Sequence, residues 1–161
     1  MELVLLRHGK AEEDHPQGDA ARELVAKGEK QAVKAAELLR RLERLPDVVI
    51  TSPRRRALRT AEIFCESAGM PGPVVEPWLD CGMAPETAFA ELAAYGGFDR
   101  VMIVGHEPDF SSLVSWVLGC GGESGVEVKK GALVAIDCRP PSRGGLLLYA
   151  LPPAMVAGGR G

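Results

Sequence analysis

The chain has 161 residues, of which 46% are hydrophobic and 25% are charged, a composition typical of a globular protein. Its formal net charge is -3 and its pI is about 5.7, so we do not expect it to bind nucleic acids by neutralising a phosphate backbone. No apolar stretch approaches the ~20 residues of a membrane-spanning helix, and we expect no membrane contact.

The cysteines and histidines bear on the cellular compartment and on metal binding. The four cysteines form no Cys-x-x-Cys pair, and no secretory h-region is visible, so we expect a protein of the reducing cytoplasm. The three histidines, His8, His15 and His106, are spaced in a way that predicts no zinc site. We also expect a monomer.

Short apolar runs alternate along the chain with segments of helical periodicity. Strands are predicted over residues 2–6, 47–51, 74–76, 100–105, 132–138 and 145–151. Helices are predicted over 28–41, from a Ser52-Pro53 cap to 68, over 86–95, and between Pro108 and Gly119. Helices between strands predict an α/β three-layer sandwich, with a mostly parallel central sheet flanked by helices on both faces. We predict one domain over residues 1–153 and a frayed tail over 154–161.

Three polar clusters each follow one of the predicted strands. They are Arg-His-Gly at 7–9, Ser-Pro-Arg-Arg-Arg at 52–56 and Gly-His-Glu-Pro at 105–108. Because the carboxyl ends of parallel strands meet at one edge of a sheet, we expect the three clusters to lie close together. Two imidazoles, at least two guanidinium groups and two helix N-termini would then converge, a combination suited to binding an oxyanion.

A single histidine is more often a hydrogen-bonded structural residue than a catalyst, so neither His8 nor His106 identifies a site alone. Both, however, lie beside a glycine at a predicted strand end. Arg7 precedes His8 in an otherwise apolar run, and its buried charge would be costly without an anionic partner. We therefore expect an anion near Arg7, either a side chain or a substrate.

The motifs together resemble those of the histidine phosphatase superfamily, phosphoglycerate-mutase-like, in order and spacing. The resemblance runs from residue 2 to about 153, and several further positions are similar to the short bacterial phosphohistidine phosphatases of the SixA type. The positions similar to the SixA type are Arg22, Leu24, Gly28, Gln31 and Ala32. Ala57, Thr60 and Ala61 belong to the superfamily motif that follows Ser52-Pro53.

This resemblance implies a metal-independent phosphatase without a cofactor, in which His8 is the nucleophile. It implies that Arg7, Arg56 and His106 hold the phosphoryl oxygens. Substrate contacts are implied at other positions of the same motifs, namely Gly9, Arg22, Ser52 and Glu107. Arg54, Arg55 and Arg59 have no motif counterpart, and we interpret them as a solvated helix face that could attract acidic substrates.

The mechanism is also physically sound from the residue types. A neutral imidazole nitrogen attacks phosphorus in line, and water then hydrolyses the phosphohistidine, which replaces one difficult displacement by two easier ones. Flanking arginines disfavour protonation of His8, so its pKa should be low. Guanidinium groups match the oxygens of the transferred group without a metal.

The sequence departs from the family pattern at two points. Val25 stands where relatives have threonine, and the proton donor is open among Glu76, Asp80 and Glu86. Imidazole leaves near neutrality without strong acid assistance, so a weak acid favours a phosphoramidate substrate. The predicted function is hydrolysis of phosphohistidine on a protein, either a histidine-phosphotransfer domain or a phosphocarrier. The alternatives are a small-molecule phosphomonoesterase or mutase acting on a phosphoester, and a noncatalytic phosphoryl-binding module.

Overall fold

A computed structural model of the protein describes residues 1–120 and 125–158. Within those residues the strands are β1 Glu2–Arg7, β2 Val48–Thr51, β3 Val74–Val75, β4 Arg100–Gly105, β5 Leu133–Arg139 and β6 Ser142–Leu151. The α-helices are α1 Ala26–Arg41, α2 Arg55–Ala68, α3 Pro85–Leu92, α4 Asp109–Leu118 and α5 Pro153–Val156. Short 3-10 turns lie at Asp19–Ala21, Pro77–Leu79 and Ala93–Tyr95.

The strands form a single sheet in the order β3-β2-β4-β1-β5-β6. The pairs from β3 to β1 are parallel, and β5 and β6 join the far side as antiparallel strands. The predicted mostly parallel sheet is confirmed. The interiors of its central strands are apolar because both of their faces are covered.

Helices cover both faces of the sheet, which confirms the predicted three-layer sandwich. Leu3 and Leu5 of β1 pack into a core that includes residues of α3 and α4. Val4 and Leu6 point to the opposite face and pack with residues of α1, α2 and α5. The alternation follows from the two-residue period of a strand, which sends successive side chains to opposite faces.

Two predictions about element ends differ from the structure. The cap of α2 is Arg54 rather than the Ser52-Pro53 pair, because the Ser52 hydroxyl is hydrogen-bonded to His106 and the Arg54 amide reaches it only at 3.3 Å. Residues 154–158 are not frayed as predicted, because α5 forms over Pro153–Val156 and Val156 is only 3% exposed. Residues 159–161 of the predicted tail lie outside the described residues.

None of the helices in the described parts of the chain combines the length and the hydropathy needed to cross a membrane. The arrangement of the sheet instead accounts for the position of the polar clusters. Thr51 of β2 and Leu6 of β1 both pair with Val104 of β4, so the carboxyl ends of the three strands are level. The pattern extends one residue further, where the His8 amide donates to the Gly105 carbonyl at 3.1 Å.

Candidate active site

His8 is almost fully buried at this sheet edge, with 4% of its surface exposed. Its Nδ1 is 2.8 Å from the Gly9 carbonyl oxygen, so Nδ1 donates a hydrogen there. Arg56 Nε donates to His8 Nε2 at 3.3 Å. The two hydrogen bonds together favour the neutral tautomer in which Nε2 carries the lone pair. Nε2 is therefore the nitrogen that can act as a nucleophile.

Burial above all, with smaller contributions from His106, Arg56 and Arg7, lowers the pKa of His8 to about 3 against the opposing hydrogen bond to the Gly9 carbonyl. A charged imidazole would lose its hydration in this position and would face two guanidinium groups. His8 is therefore unprotonated throughout the neutral range.

His106 lies beside His8, with the ring centroids 5.3 Å apart. It is 2% exposed, and its Nε2 is hydrogen-bonded to the Ser52 hydroxyl at 2.7 Å. Burial, followed by Arg56 and Arg54, lowers its pKa to about 4. Its Nδ1 is buried and has no hydrogen-bond partner in residues 1–120 and 125–158. The predicted substrate contact Ser52 thus holds the second imidazole in place.

Arg56 lies almost buried between His8 and the loop after β1. Its terminal nitrogens donate to the backbone carbonyl of Asp19 at 2.8 Å and to the Asp19 carboxylate at 3.1 Å. Arg22 donates to the same carboxylate at 2.8 Å, and Arg54 also contacts it. The hydrogen bond from Arg22, aided by Arg56 and Arg54, holds the pKa of Asp19 far below its usual range despite partial burial.

Sequence reasoning missed Asp19, which contacts three arginines. The residue stands in a loop without periodicity, and its only sequence signal is an acid three positions before Arg22. The sequence instead predicts an anion beside Arg7. Arg22, predicted as a substrate contact, is paired with Asp19 and also donates to the Glu12 carbonyl at 2.6 Å.

Arg7 retains unused hydrogen-bonding capacity. One terminal nitrogen donates to the Val128 carbonyl at 2.9 Å, while the buried Nε has no partner within the described parts of the chain. Burial is the main cause that lowers the pKa of Arg7, against the attraction of Glu107 and Glu127. A guanidinium group always stays charged in proteins, so Arg7 offers donors for an anion.

Gly9 fixes the loop that carries His8. Its amide donates to the Thr60 hydroxyl at 3.1 Å, and that hydroxyl donates to the Arg56 carbonyl at 2.7 Å. A side chain at Gly9 would bring a carbon within 2.5 Å of the Gly28 carbonyl oxygen, so the loop crosses α1 at a place where only glycine fits. The amide of Gly9, a predicted substrate contact, is thus engaged by Thr60.

The two remaining sequence predictions concern the ends of helices. Glu107 accepts a hydrogen bond from the Ser111 amide at 2.9 Å and caps the start of α4. Burial raises its pKa. Val25 caps α1 without a side-chain hydrogen bond, although its amide donates to the Lys10 carbonyl at 3.0 Å. A side-chain hydroxyl at position 25 is therefore not required for α1 to begin here.

Of the three carboxylates considered as proton donors, Asp80 has an oxygen within 4.8 Å of a ring nitrogen of His106. Burial alone would raise the pKa of Asp80, but hydrogen bonds from Arg54 at 2.5 Å and from the Cys81 amide outweigh it, so the pKa is lowered. Glu76 accepts a hydrogen bond from Tyr95, and Glu86 is exposed on α3. A carboxylate with a lowered pKa is a poor proton donor at neutral pH.

Donor atoms of Asp80, Cys81 and His106 lie within 4.8 Å of one another, which is close enough for a metal ion to be considered. Arg54 is hydrogen-bonded to Asp80, and an Arg56 nitrogen is 3.7 Å from the Cys81 sulfur. Two guanidinium groups against the same donor atoms oppose a cation and favour an anion. The arrangement is therefore a poor fit to a resident metal.

Comparison with known proteins bears on the family to which the chain belongs. A family model described as histidine phosphatase superfamily (branch 1) matches residues 3–84. The 2,3-bisphosphoglycerate-dependent phosphoglycerate mutase of Streptomyces griseus is 48% identical over 69 residues, a segment that covers 41% of this chain and 27% of that enzyme. The chain thus corresponds to only about a quarter of that mutase. An uncharacterised protein of Picosynechococcus sp. is 31% identical over 147 residues, which cover 84% of each chain.

Solved structures share the whole architecture. The protein histidine phosphatase SixA complexed with tungstate matches with a TM-score of 0.86 and 24% identity, over 97% of this chain and 99% of that one. At this level of identity the likeness describes the fold. The matched family model begins in β1, includes the loop of His8 and extends past Arg56. From that match and from the near-full-length relative, the chain belongs to the histidine phosphatase superfamily, whose members are phosphatases and mutases.

Proposed function

We propose that the protein is a phosphatase that hydrolyses phosphohistidine on another protein through a covalent intermediate on His8. The observation that carries the proposal is the state of His8, which is buried, hydrogen-bonded through Nδ1 to a backbone carbonyl, and has a pKa of about 3. Its Nε2 therefore presents a lone pair beside Arg56 at neutral pH.

In the first step His8 Nε2 attacks phosphorus, and the bond from phosphorus to the leaving nitrogen breaks. The leaving ring carries a proton from solvent on its other nitrogen, keeps the electron pair of the broken bond and departs as neutral imidazole. In the second step water attacks the phosphorus on His8, inorganic phosphate leaves, and the lone pair returns to Nε2. Arg7, Arg56 and His106 surround the position of the transferred group and stabilise the charge on its oxygens.

The leaving group decides between substrate classes. Asp80 lies within 4.8 Å of a ring nitrogen of His106, and its pKa is lowered by Arg54 despite burial. An alkoxide leaving from a phosphoester needs a strong proton donor, whereas imidazole has a pKa of about 6.5 and leaves without one. The site therefore suits a phosphoramidate better than a phosphoester.

The intermediate can be tested directly. The enzyme is mixed with a phosphohistidine peptide, quenched in base within milliseconds, and digested for mass spectrometry. We expect a phosphoryl group on the peptide that contains His8, and none on the peptide that contains His15, a loop histidine that serves as an internal control. Full turnover by a His8→Ala variant, with no adduct in the wild type, would eliminate the mechanism.

A small-molecule phosphomonoesterase or mutase is the second candidate, favoured by the 48% identity to the Streptomyces griseus mutase over 69 residues. A panel that compares kcat/KM for a phosphorylated histidine-phosphotransfer domain, a phosphocarrier protein and small phosphoesters separates the two. Higher values on the esters would promote the second candidate.

The proposed mechanism uses no metal, so activity should survive a chelator; loss of activity that zinc restores would refute this part of the proposal. All four cysteines are free, which suits the reducing cytoplasm that we propose as its location.

A further inference from the structure

All six lysines of the sequence gather on one surface next to the candidate active site. They line two adjoining grooves of about 300 Å³ and 390 Å³, which share Lys27 and Gln31. We call this surface the lysine face, and its members are Lys10, Lys27, Lys30, Lys34, Lys129 and Lys130.

The positive charge of the lysine face is largely unneutralised. Within residues 1–120 and 125–158, Lys34 alone among the six forms an ion pair, with Glu37 at 2.7 Å. Glu29, which also lies on α1, is 3.8 Å from Arg59 on α2. The chain has a net charge of -3, so this face is a local exception to an acidic molecule.

Arginines around the site behave differently. Arg54 pairs with Asp19 and Asp80, and Arg55 pairs with Glu23 at 3.3 Å. Their charges are used inside the molecule, where they hold loops together. Apart from Lys34, the lysines form no ion pair in the described parts of the chain, which indicates a role toward a molecule outside the chain.

The lysine face is fixed relative to His8. Arg7 lines the first groove together with Lys10 and Lys130. Gln31 ties the groove walls to each other, because it accepts from the Lys10 amide at 2.8 Å and donates to the Lys130 carbonyl at 3.0 Å. A molecule bound here would therefore lie directly beside the phosphoryl position.

The second groove adds an apolar component. Pro153, Ala154 and Ala157 of the α5 segment line it opposite Lys27 and Lys30. A groove of about 390 Å³ with charged walls accommodates a few apolar side chains flanked by acidic ones. A protein surface offers that combination. A nucleic-acid backbone offers no apolar side chains, and outside the six lysines it would be repelled by the net negative charge of the chain.

We propose that the lysine face docks an acidic surface of the protein that carries the phosphohistidine, and so selects acidic proteins as substrates. This inference rests on the proposed function and adds the charge of the partner to it. Charge complementarity of this kind acts mainly on the rate of association, and so on kcat/KM.

The test uses two phosphohistidine peptides of equal length, one with four glutamates around the histidine and one with glutamines in their place. We expect the wild type to prefer the glutamate peptide about fivefold in kcat/KM at low ionic strength, and the preference to shrink as salt screens the charges. Lys27→Gln/Lys30→Gln should abolish the preference without changing kcat/KM for the glutamine peptide. The matched control Arg41→Gln/Arg139→Gln removes two exposed charges elsewhere and should keep it.

Fluorescence anisotropy with the unphosphorylated peptides separates docking from catalysis. Charge-dependent binding without any turnover of phosphohistidine would overturn the proposed function but would still support the docking proposal. Equal binding of both peptides by the wild type, or a preference that survives in the lysine variant, would overturn the docking proposal alone. The docking proposal would also fail if that variant kept the peptide preference but lost binding to phosphatidylserine vesicles, since the lysine face would then serve a membrane.

Discussion

Thr60 offers a sharp test of how the loop after β1 holds the nucleophile. Its side chain is completely buried, and its hydroxyl accepts from the Gly9 amide at 3.1 Å while donating to the Arg56 carbonyl at 2.7 Å. Thr60→Val keeps the shape and removes the hydroxyl. The Gly9 amide is then buried without a partner, which costs about 1–3 kcal/mol of the free energy of unfolding.

The same change reaches His8, because the Gly9 carbonyl accepts the hydrogen bond from His8 Nδ1. A Gly9 loop that moves to find a new partner misorients the imidazole, so we expect kcat to fall about tenfold or more in Thr60→Val. Thr60→Ser keeps the hydroxyl and loses one methyl group, so its unfolding free energy should fall by about 1 kcal/mol with kcat almost unchanged.

Urea unfolding monitored by circular dichroism and steady-state kinetics on a phosphohistidine peptide measure both quantities. The prediction is confirmed if the valine variant loses activity and the serine variant keeps it. If valine were as active as the wild type, the Thr60 hydroxyl would have no part in positioning His8. If both variants were equally impaired, the loss could not be assigned to the hydrogen bond, because Thr60→Ser keeps the hydroxyl.

Further predictions follow from the buried imidazoles and from Gly28. Because the pKa of His8 is about 3 and that of His106 about 4, the acid limb of the kcat/KM profile should fall below about pH 5, and a limb near 6.5 would contradict this. Between about pH 6.5 and 3 the two imidazoles bind protons in the unfolded chain but not in the folded one. The free energy of unfolding should therefore fall as the pH drops through this range, as urea titrations would show. Gly28→Ala would place a carbon 2.0 Å from the Lys10 carbonyl oxygen and should destabilise the fold by about 1–3 kcal/mol. In the control Gly72→Ala nothing lies within 4 Å, and its unfolding free energy in urea should barely change.

Local patterns in the sequence are sufficient to predict the layers of the fold. The run from Leu3 to Leu6 is apolar because both faces of β1 are covered, and a run of that kind indicates a strand without reference to the rest of the chain. Parallel connections then bring the carboxyl ends of β1, β2 and β4 to one edge of the sheet. The proximity of His8, Arg56 and His106 follows from the order of elements plus this one topological rule.

Only the tertiary structure decided which groups orient those residues. Asp19 meets Arg56 and Arg54 across 37 and 35 positions of sequence, and a loop has no periodicity from which such a contact could be inferred. The sequence predicts Ser52 as part of a helix cap, but its hydroxyl bonds His106. The gathering of six lysines from three separate segments also depends on how loops and helix ends fold together. Hydrophobic periodicity is a local property that fixes elements, whereas polar contacts between loops depend on distances that only the folded chain defines.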